Sequence, residues 1–101
     1  MSFPVYWTDE AKETFNLIIN FIEELWGEKE AGKFVKRTQK LLLTIASQPY
    51  LFKTSITENV RKGLISKQSS VFYEINTGSI TILFFWDNRQ EPILFNPISS
   101  T

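Results

Sequence analysis

The residues best placed to do chemistry lie where an apolar run ends. Ile80 to Trp86 is almost wholly aliphatic and aromatic, and Asp87-Asn88-Arg89-Gln90 follows it directly. One carboxylate, one guanidinium and two amides therefore gather at the end of what reads as a strand. A buried strand that stops on such a cluster delivers polar groups to the edge of a core. Upstream, Arg61, Lys62 and Lys67 add cations and Tyr73 adds a phenol. The supply of proton-transfer groups is thin. The sequence has no His and no Cys, which removes the usual general base at neutral pH, the commonest metal ligand and any thiol nucleophile. It also has no Gly-rich phosphate loop, so no metal or organic cofactor is expected.

The net charge of zero hides a segregation. Between Ala31 and Tyr73 eight cations (Lys33, Lys36, Arg37, Lys40, Lys53, Arg61, Lys62 and Lys67) face the single anion Glu58, a net of +7. The rest of the chain carries Lys12, Lys29 and Arg89 against ten acids. Such asymmetry marks a surface for phosphates or for an acidic partner, unless it is only a solvated helix face with scattered strand charges.

These groups need a frame, and the 101 residues are enough for one small domain spanning 1–101. Hydrophobic residues make up 43%, with nine Phe and three Trp, so a packed core forms without disulfides. No apolar run reaches the ~18 residues of a membrane span. The start, Met-Ser-Phe-Pro-Val-Tyr-Trp, lacks a basic region followed by an apolar one, so a cytoplasmic location and no membrane partner are expected.

Phe3 to Trp7 reads as a short strand. Thr8 is a good N-cap, and Asp9 and Glu10 place negative charge in a first helical turn. Ala11, Phe15, Ile18, Ile22 and Leu25 recur at steps of three and four, which predicts a helix from about Asp9 to Trp26, stopped by Gly27. A second amphipathic helix starts near Gly32, carries the stripe Phe34, Val35, Thr38, Leu41, Leu42 and Ile45, and ends before Pro49. The two form an antiparallel hairpin. Pro49 to Asn59 reads as a loop. Three strands follow, Val60 to Ser66, Ser70 to Asn76 and Ser79 to Trp86, turned at Lys67-Gln68-Ser69 and Asn76-Thr77-Gly78. Turns this short force an antiparallel meander. The last strand is apolar enough to be buried on both faces. Ile93-Leu94-Phe95 can add a short C-terminal strand, and Ser99 to Thr101 a loose tail. The expected class is α+β, in the order β-α-α-β-β-β. One sheet face packs on the hairpin, and a groove forms on the other.

The order of these patterns resembles the RelE/ParE family of bacterial toxins. The resemblance runs from about Val5 to Pro92. It rests on Val5-Tyr6-Trp7-Thr8 before Ala11, the Phe21-Ile22 to Trp26 helix, Ile45 with Pro49 and Phe52, and Val60-Arg61-Lys62. Val71-Phe72-Tyr73-Glu74-Ile75 and Ile82-Leu83 leading to Asp87-Asn88-Arg89-Gln90 complete it. It implies a toxin encoded beside a small, acidic antitoxin that folds onto helix one, helix two and the sheet edge. It also implies one of two targets: messenger RNA on the ribosome, cleaved through its own 2′-hydroxyl, or DNA gyrase, poisoned without catalysis. A third reading is an inactive relative kept as an antitoxin-binding partner.

For the first target, Arg89 matches the arginine that ribonuclease members carry after the last long strand, and its planar fork suits a phosphate. Arg61, Lys62 and Lys67 resemble the family's basic residues around the first meander strand. Arg61 and Lys62 point to opposite faces, so at most one shares the Arg89 face. Asn88 and Gln90 would support the site. Asp87 is either a base or a structural partner of Arg89. Tyr73 serves only if its hydroxyl faces the groove. Ser70 stands where ribonuclease members carry an arginine, and no Tyr follows Tyr73, which favours the gyrase alternative; the retained Arg89 favours cleavage.

Overall fold

The computed structural model describes residues 2–55, 57 and 59–88. Its elements are β1 (Val5–Trp7), α1 (Asp9–Trp26), α2 (Glu28–Ser47), a 3-10 turn at Pro49–Leu51, β2 (Lys53–Thr54), β3 (Val60–Leu64), β4 (Ser69–Asn76) and β5 (Ser79–Asp87). One five-stranded sheet has the order β1-β5-β4-β3-β2. The meander β3-β4-β5 is antiparallel, as its short turns require. β1 joins it in parallel, with Val5 opposite Ile80 and Trp7 opposite Ile82, so the sheet is mixed. Both helices lie between β1 and β5, and that long connection permits the parallel pairing.

Thr8 caps α1 by accepting from the Ala11 amide at 2.9 Å. Its own proton goes to the Leu83 carbonyl at 2.8 Å. Leu83 sits at a register break, because Phe72 pairs with Phe84 while Tyr73 pairs with Ile82. The extra residue leaves β5 backbone groups without ladder partners. A second threonine completes the repair, since the Phe85 amide donates to Thr14 Oγ1 at 2.8 Å. The hydroxyls of the cap, Thr8, and of Thr14 in α1 thus fasten the helix to the sheet at its bulge.

The core between sheet and helices is aromatic at one end. Phe15 of α1 lies 5.2 Å from Trp7, 5.0 Å from Phe85 and 5.6 Å from Phe34, ring centre to ring centre. Val71, Tyr73, Ile75, Ile80, Ile82 and Phe85 supply the sheet side. Thr38, in the α2 stripe, is buried and satisfies its hydroxyl on the Phe34 carbonyl at 2.9 Å.

Several details differ from the sequence pattern. α2 begins at Glu28, because Gly27 alone, at φ 92°, makes the break between helices. Gly32 is exposed, with open space around it, and stays helical. The expected loop after Pro49 contains β2, which pairs with β3. The strand buried on both faces is β4, at the centre of the sheet, whereas β5 is half-buried on its outer side at Thr81, Phe84 and Trp86. The expected Ile93–Phe95 strand and the Ser99–Thr101 tail lie outside the described residues. Among the described residues no helix is long and apolar enough to cross a membrane.

Candidate functional site

Register decides where each candidate points. Arg61 pairs with Tyr73, and Lys62 with Phe72. Directly paired residues share a face, so Arg61 and Tyr73 lie on the helix side and Lys62 and Phe72 on the outer side.

Both helix-side candidates are engaged. The Tyr73 hydroxyl donates to the Pro49 carbonyl at 2.7 Å, and the residue is fully buried. Burial pushes its pKa up from 10.0 to about 12, with Arg61 opposing the shift. The condition for a role in the groove is therefore not met: this phenol faces the core and holds its proton. The Arg61 guanidinium donates from Nη1 to the Phe52 carbonyl and lies 5.1 Å from the Tyr50 ring centre. Arg61 thus straps the segment between α2 and β2 onto the sheet. Sequence spacing separated Arg61 from Lys62 but did not tell which faced outward.

On the outer side Lys62 is exposed, with Nζ 5.7 Å from the centre of the Phe72 ring. Phe72 stacks on Phe84 at 4.7 Å. Lys53, which falls in the loop expected after Pro49 and outside the expected site, is in β2 and pairs directly with Lys62. A two-residue strand carries too little periodicity to be seen, and its signal is only the extended pattern after Phe52.

The cluster after β5 is drawn toward the β3–β4 turn. Asp87 pairs with Ser69. The Asn88 amide nitrogen donates to the Gln68 carbonyl at 2.7 Å, and its side-chain Oδ1 accepts from Ser70 Oγ at 2.9 Å. Asn88 Nδ2 reaches the Lys67 carbonyl at 3.4 Å. Lys67 is exposed in that turn, so Asn88 sets its backbone beside the end of β5. Ser70, fully buried, spends its hydroxyl on this bond. Arg89 and Gln90 lie outside the described residues.

A cavity of about 590 Å³ opens at the same end, on the helix side, lined by Phe21, Trp26, Phe34, Arg37, Ser69 and Asp87 among others. Its lining is largely aromatic and aliphatic, with one guanidinium, Arg37, and two carboxylates, Glu30 and Asp87, which suits an amphipathic peptide better than a small charged substrate. Among the described residues no group of three His, Cys, Asp or Glu is arranged to hold a metal.

Comparison with known proteins agrees with this architecture. The family model described as ParE toxin of type II toxin-antitoxin system, parDE, matches residues 5–92. No curated protein sequence matches the chain. Among solved structures, the chromosomal ParDE TA system from P. aeruginosa superposes with a TM-score of 0.73 at 18% identity, covering 85% of this chain and 96% of that one. The YoeB dimer from Staphylococcus aureus gives 0.61 at 15% identity, covering 85% and 97%. The E. coli DinJ-YafQ toxin-antitoxin complex gives 0.59 at 3% identity, covering 88% and 96%. At these identities the structural likeness speaks for the fold alone.

Proposed function

Because the chain belongs to the ParE toxin family of type II toxin-antitoxin systems, we propose that it stops growth as a non-catalytic poison of DNA gyrase, restrained by a small acidic antitoxin. The supporting observation is the engagement of the helix-side polar groups. Cleaving RNA through its 2′-hydroxyl needs one group to take a proton, another to return it and cations to stabilise the phosphorane. Tyr73 is buried with its hydroxyl given to Pro49. Arg61 points to the helix side and donates from Nη1 to the Phe52 carbonyl, and the sequence offers no His. Exposed cations remain among the described residues, while Tyr73 is withdrawn from proton transfer and no His replaces it, a combination that serves binding better than catalysis. On this reading Lys62 and Lys67, with Arg89 after them, are contact residues for the target.

The competing reading is ribosome-dependent cleavage of messenger RNA, with Lys62, Lys67 and Arg89 holding the scissile phosphate and Asp87 as base. One observation favours it: Asn88 holds the Lys67 backbone beside the strand end that leads into Arg89. Pulsed expression, followed separately by translation rate and plasmid topology, tells the two apart. Relaxed or cleaved DNA with translation initially intact supports gyrase poisoning. Immediate arrest of translation with fragmented messages, lost in Arg89→Ala, overturns it. Unimpaired growth would make the chain an inactive relative that keeps only its antitoxin partner.

A further inference from the structure

Helix α2 carries a run of cations that its own stability does not ask for. Lys29, Lys33, Lys36, Arg37 and Lys40 are all exposed. At 3.6 residues per turn they fall within about 100° of arc, away from the buried side of Ala31, Phe34, Thr38, Ile45 and Ala46. Lys29 with Lys33, Lys33 with Arg37, and Lys36 with Lys40 stand four residues apart, a spacing at which like charges destabilise a helix. The ion pair present among the described residues joins Lys33 to Glu30 at 3.2 Å, and no acid follows Glu30 in α2. The helix dipole does not account for these cations, because none lies in the last turn. Between Lys29 and Lys40 the other exposed residues are Gly32 and Gln39. Gly32 has open space where a Cβ would stand, so packing does not call for glycine there, and glycine inside a helix costs stability.

The neighbouring helix has the opposite charge. The exposed acids Asp9, Glu10, Glu13, Glu23 and Glu24 of α1 stand against the one cation Lys12. A basic ridge beside an acidic one orients the molecule in the field of a polyanion. A merely solvated face accounts for charges of mixed sign. It does not account for five of one sign along about 16 Å of helix. From Lys29 to Lys40 the exposed face carries no apolar or aromatic side chain. A protein segment would find no apolar anchor there, and a single nucleic-acid strand no ring on which to stack its bases. A double helix keeps its bases covered and offers about one phosphate charge per 1.7 Å of axis. Gly32 leaves room beside Lys36 for so broad a backbone to come close.

We infer that α2 binds the phosphate backbone of duplex DNA through Lys29, Lys33, Lys36, Arg37 and Lys40, without reading its sequence. The contact deepens the gyrase reading, because gyrase works on duplex DNA, and the choice of DNA over duplex RNA rests on that reading. Lys62 lies on the outer side of the sheet, away from the helices. A poison so equipped grips DNA through α2 while its outer sheet face meets the enzyme.

The test uses the full chain and a short fluorescein-labelled DNA duplex of mixed sequence, read by fluorescence polarisation between about 50 and 200 mM salt. The duplex binds, a second duplex of unrelated sequence binds equally, and the logarithm of affinity falls with the logarithm of salt by about 0.9 for each phosphate neutralised. The double variant Lys36→Gln, Lys40→Gln flattens that slope by about two units. Both side chains are exposed, and their removal relieves a like-charge pair, so the variant folds at least as stably, as its urea midpoint shows. Lys12→Gln on α1 leaves the slope unchanged. Absence of binding at the lowest salt overturns the inference, as does a slope that the double variant does not alter. Displacement of the DNA by duplex RNA, by a single strand or by a glutamate–leucine peptide at lower concentration than by unlabelled duplex also overturns it. Supercoiling by purified gyrase is read separately. Inhibition by a chain that binds no DNA sinks the α2 contact and leaves the gyrase reading standing. DNA binding with the predicted slope but untouched supercoiling upholds the contact and removes the gyrase reading.

Discussion

The Tyr73 hydroxyl donates to the Pro49 carbonyl at 2.7 Å across the seam between the central strand and the end of α2. Arg61, on the neighbouring strand, fixes the same segment through the Phe52 carbonyl, and the Phe52 and Tyr73 rings meet edge to face at 6.3 Å. The segment that in sequence looks like a loop is thereby part of the core. Tyr73→Phe should lower stability by about 1–2 kcal/mol, the cost of leaving a buried carbonyl unpaired, measured as a shift in the urea midpoint. Toxicity should persist; its loss in a folded Tyr73→Phe chain would give the phenol a catalytic role.

The same phenol predicts an alkaline weakness. Its folded pKa is raised from 10.0 to about 12, chiefly by burial. The folded chain therefore holds this proton more tightly than the unfolded chain. The resulting stability is complete below pH 10 and is lost as pH climbs toward 12. Unfolding of the parent chain and of Tyr73→Phe, compared across that range, should show a steeper decline in the parent. Parallel curves would contradict the burial assigned to Tyr73.

The Thr8 and Thr14 latch predicts an effect out of proportion to its exposure. Thr14→Val keeps the shape and removes the acceptor for the Phe85 amide, which should cost about 1–3 kcal/mol. Thr8→Ala removes the α1 cap, worth about 1 kcal/mol, together with the bond to Leu83. Hydrogen exchange at Phe85 should accelerate in Thr14→Val. Unchanged protection there would mean that the bulge is satisfied some other way.

Much of this frame was legible in the sequence because its signals are local and repeated. Thr8 with the three-and-four spacing of Ala11, Phe15, Ile18 and Ile22 predicts a helix from about Asp9 to Trp26, and α1 runs Asp9–Trp26. Pro49 and Gly78 placed the end of α2 and the β4–β5 hairpin. What spacing could not carry was pairing. The parallel docking of β1 on β5 depends on chain ends far apart in sequence. The Leu83 bulge depends on the hydroxyls of Thr8 and Thr14, separated from Leu83 and Phe85 by 75 and 71 residues. β2 is two residues long. The outward choice between Arg61 and Lys62 depends on which face the hairpin covers. These are tertiary facts, and the site depends on them more than the fold does.

Asn88 predicts a functional effect without being a contact. Its side chain holds Ser70 and the Lys67 carbonyl. Asn88→Ala should cost about 1–2 kcal/mol and free the β3–β4 turn, seen as faster amide exchange at Gln68 and Ser69. Toxicity should fall with it, because Lys67 would lose its fixed place beside the strand end. Full toxicity in Asn88→Ala would remove Lys67 and this corner from the target surface.

The most direct test of the account is a supercoiling assay with purified gyrase and relaxed plasmid, with the purified chain added in excess. The account predicts inhibited supercoiling or accumulated cleaved plasmid, abolished when the lysines are reversed in Lys62→Glu and Lys67→Glu. Normal supercoiling at every concentration, alongside cleavage of messenger RNA on purified ribosomes, would contradict it.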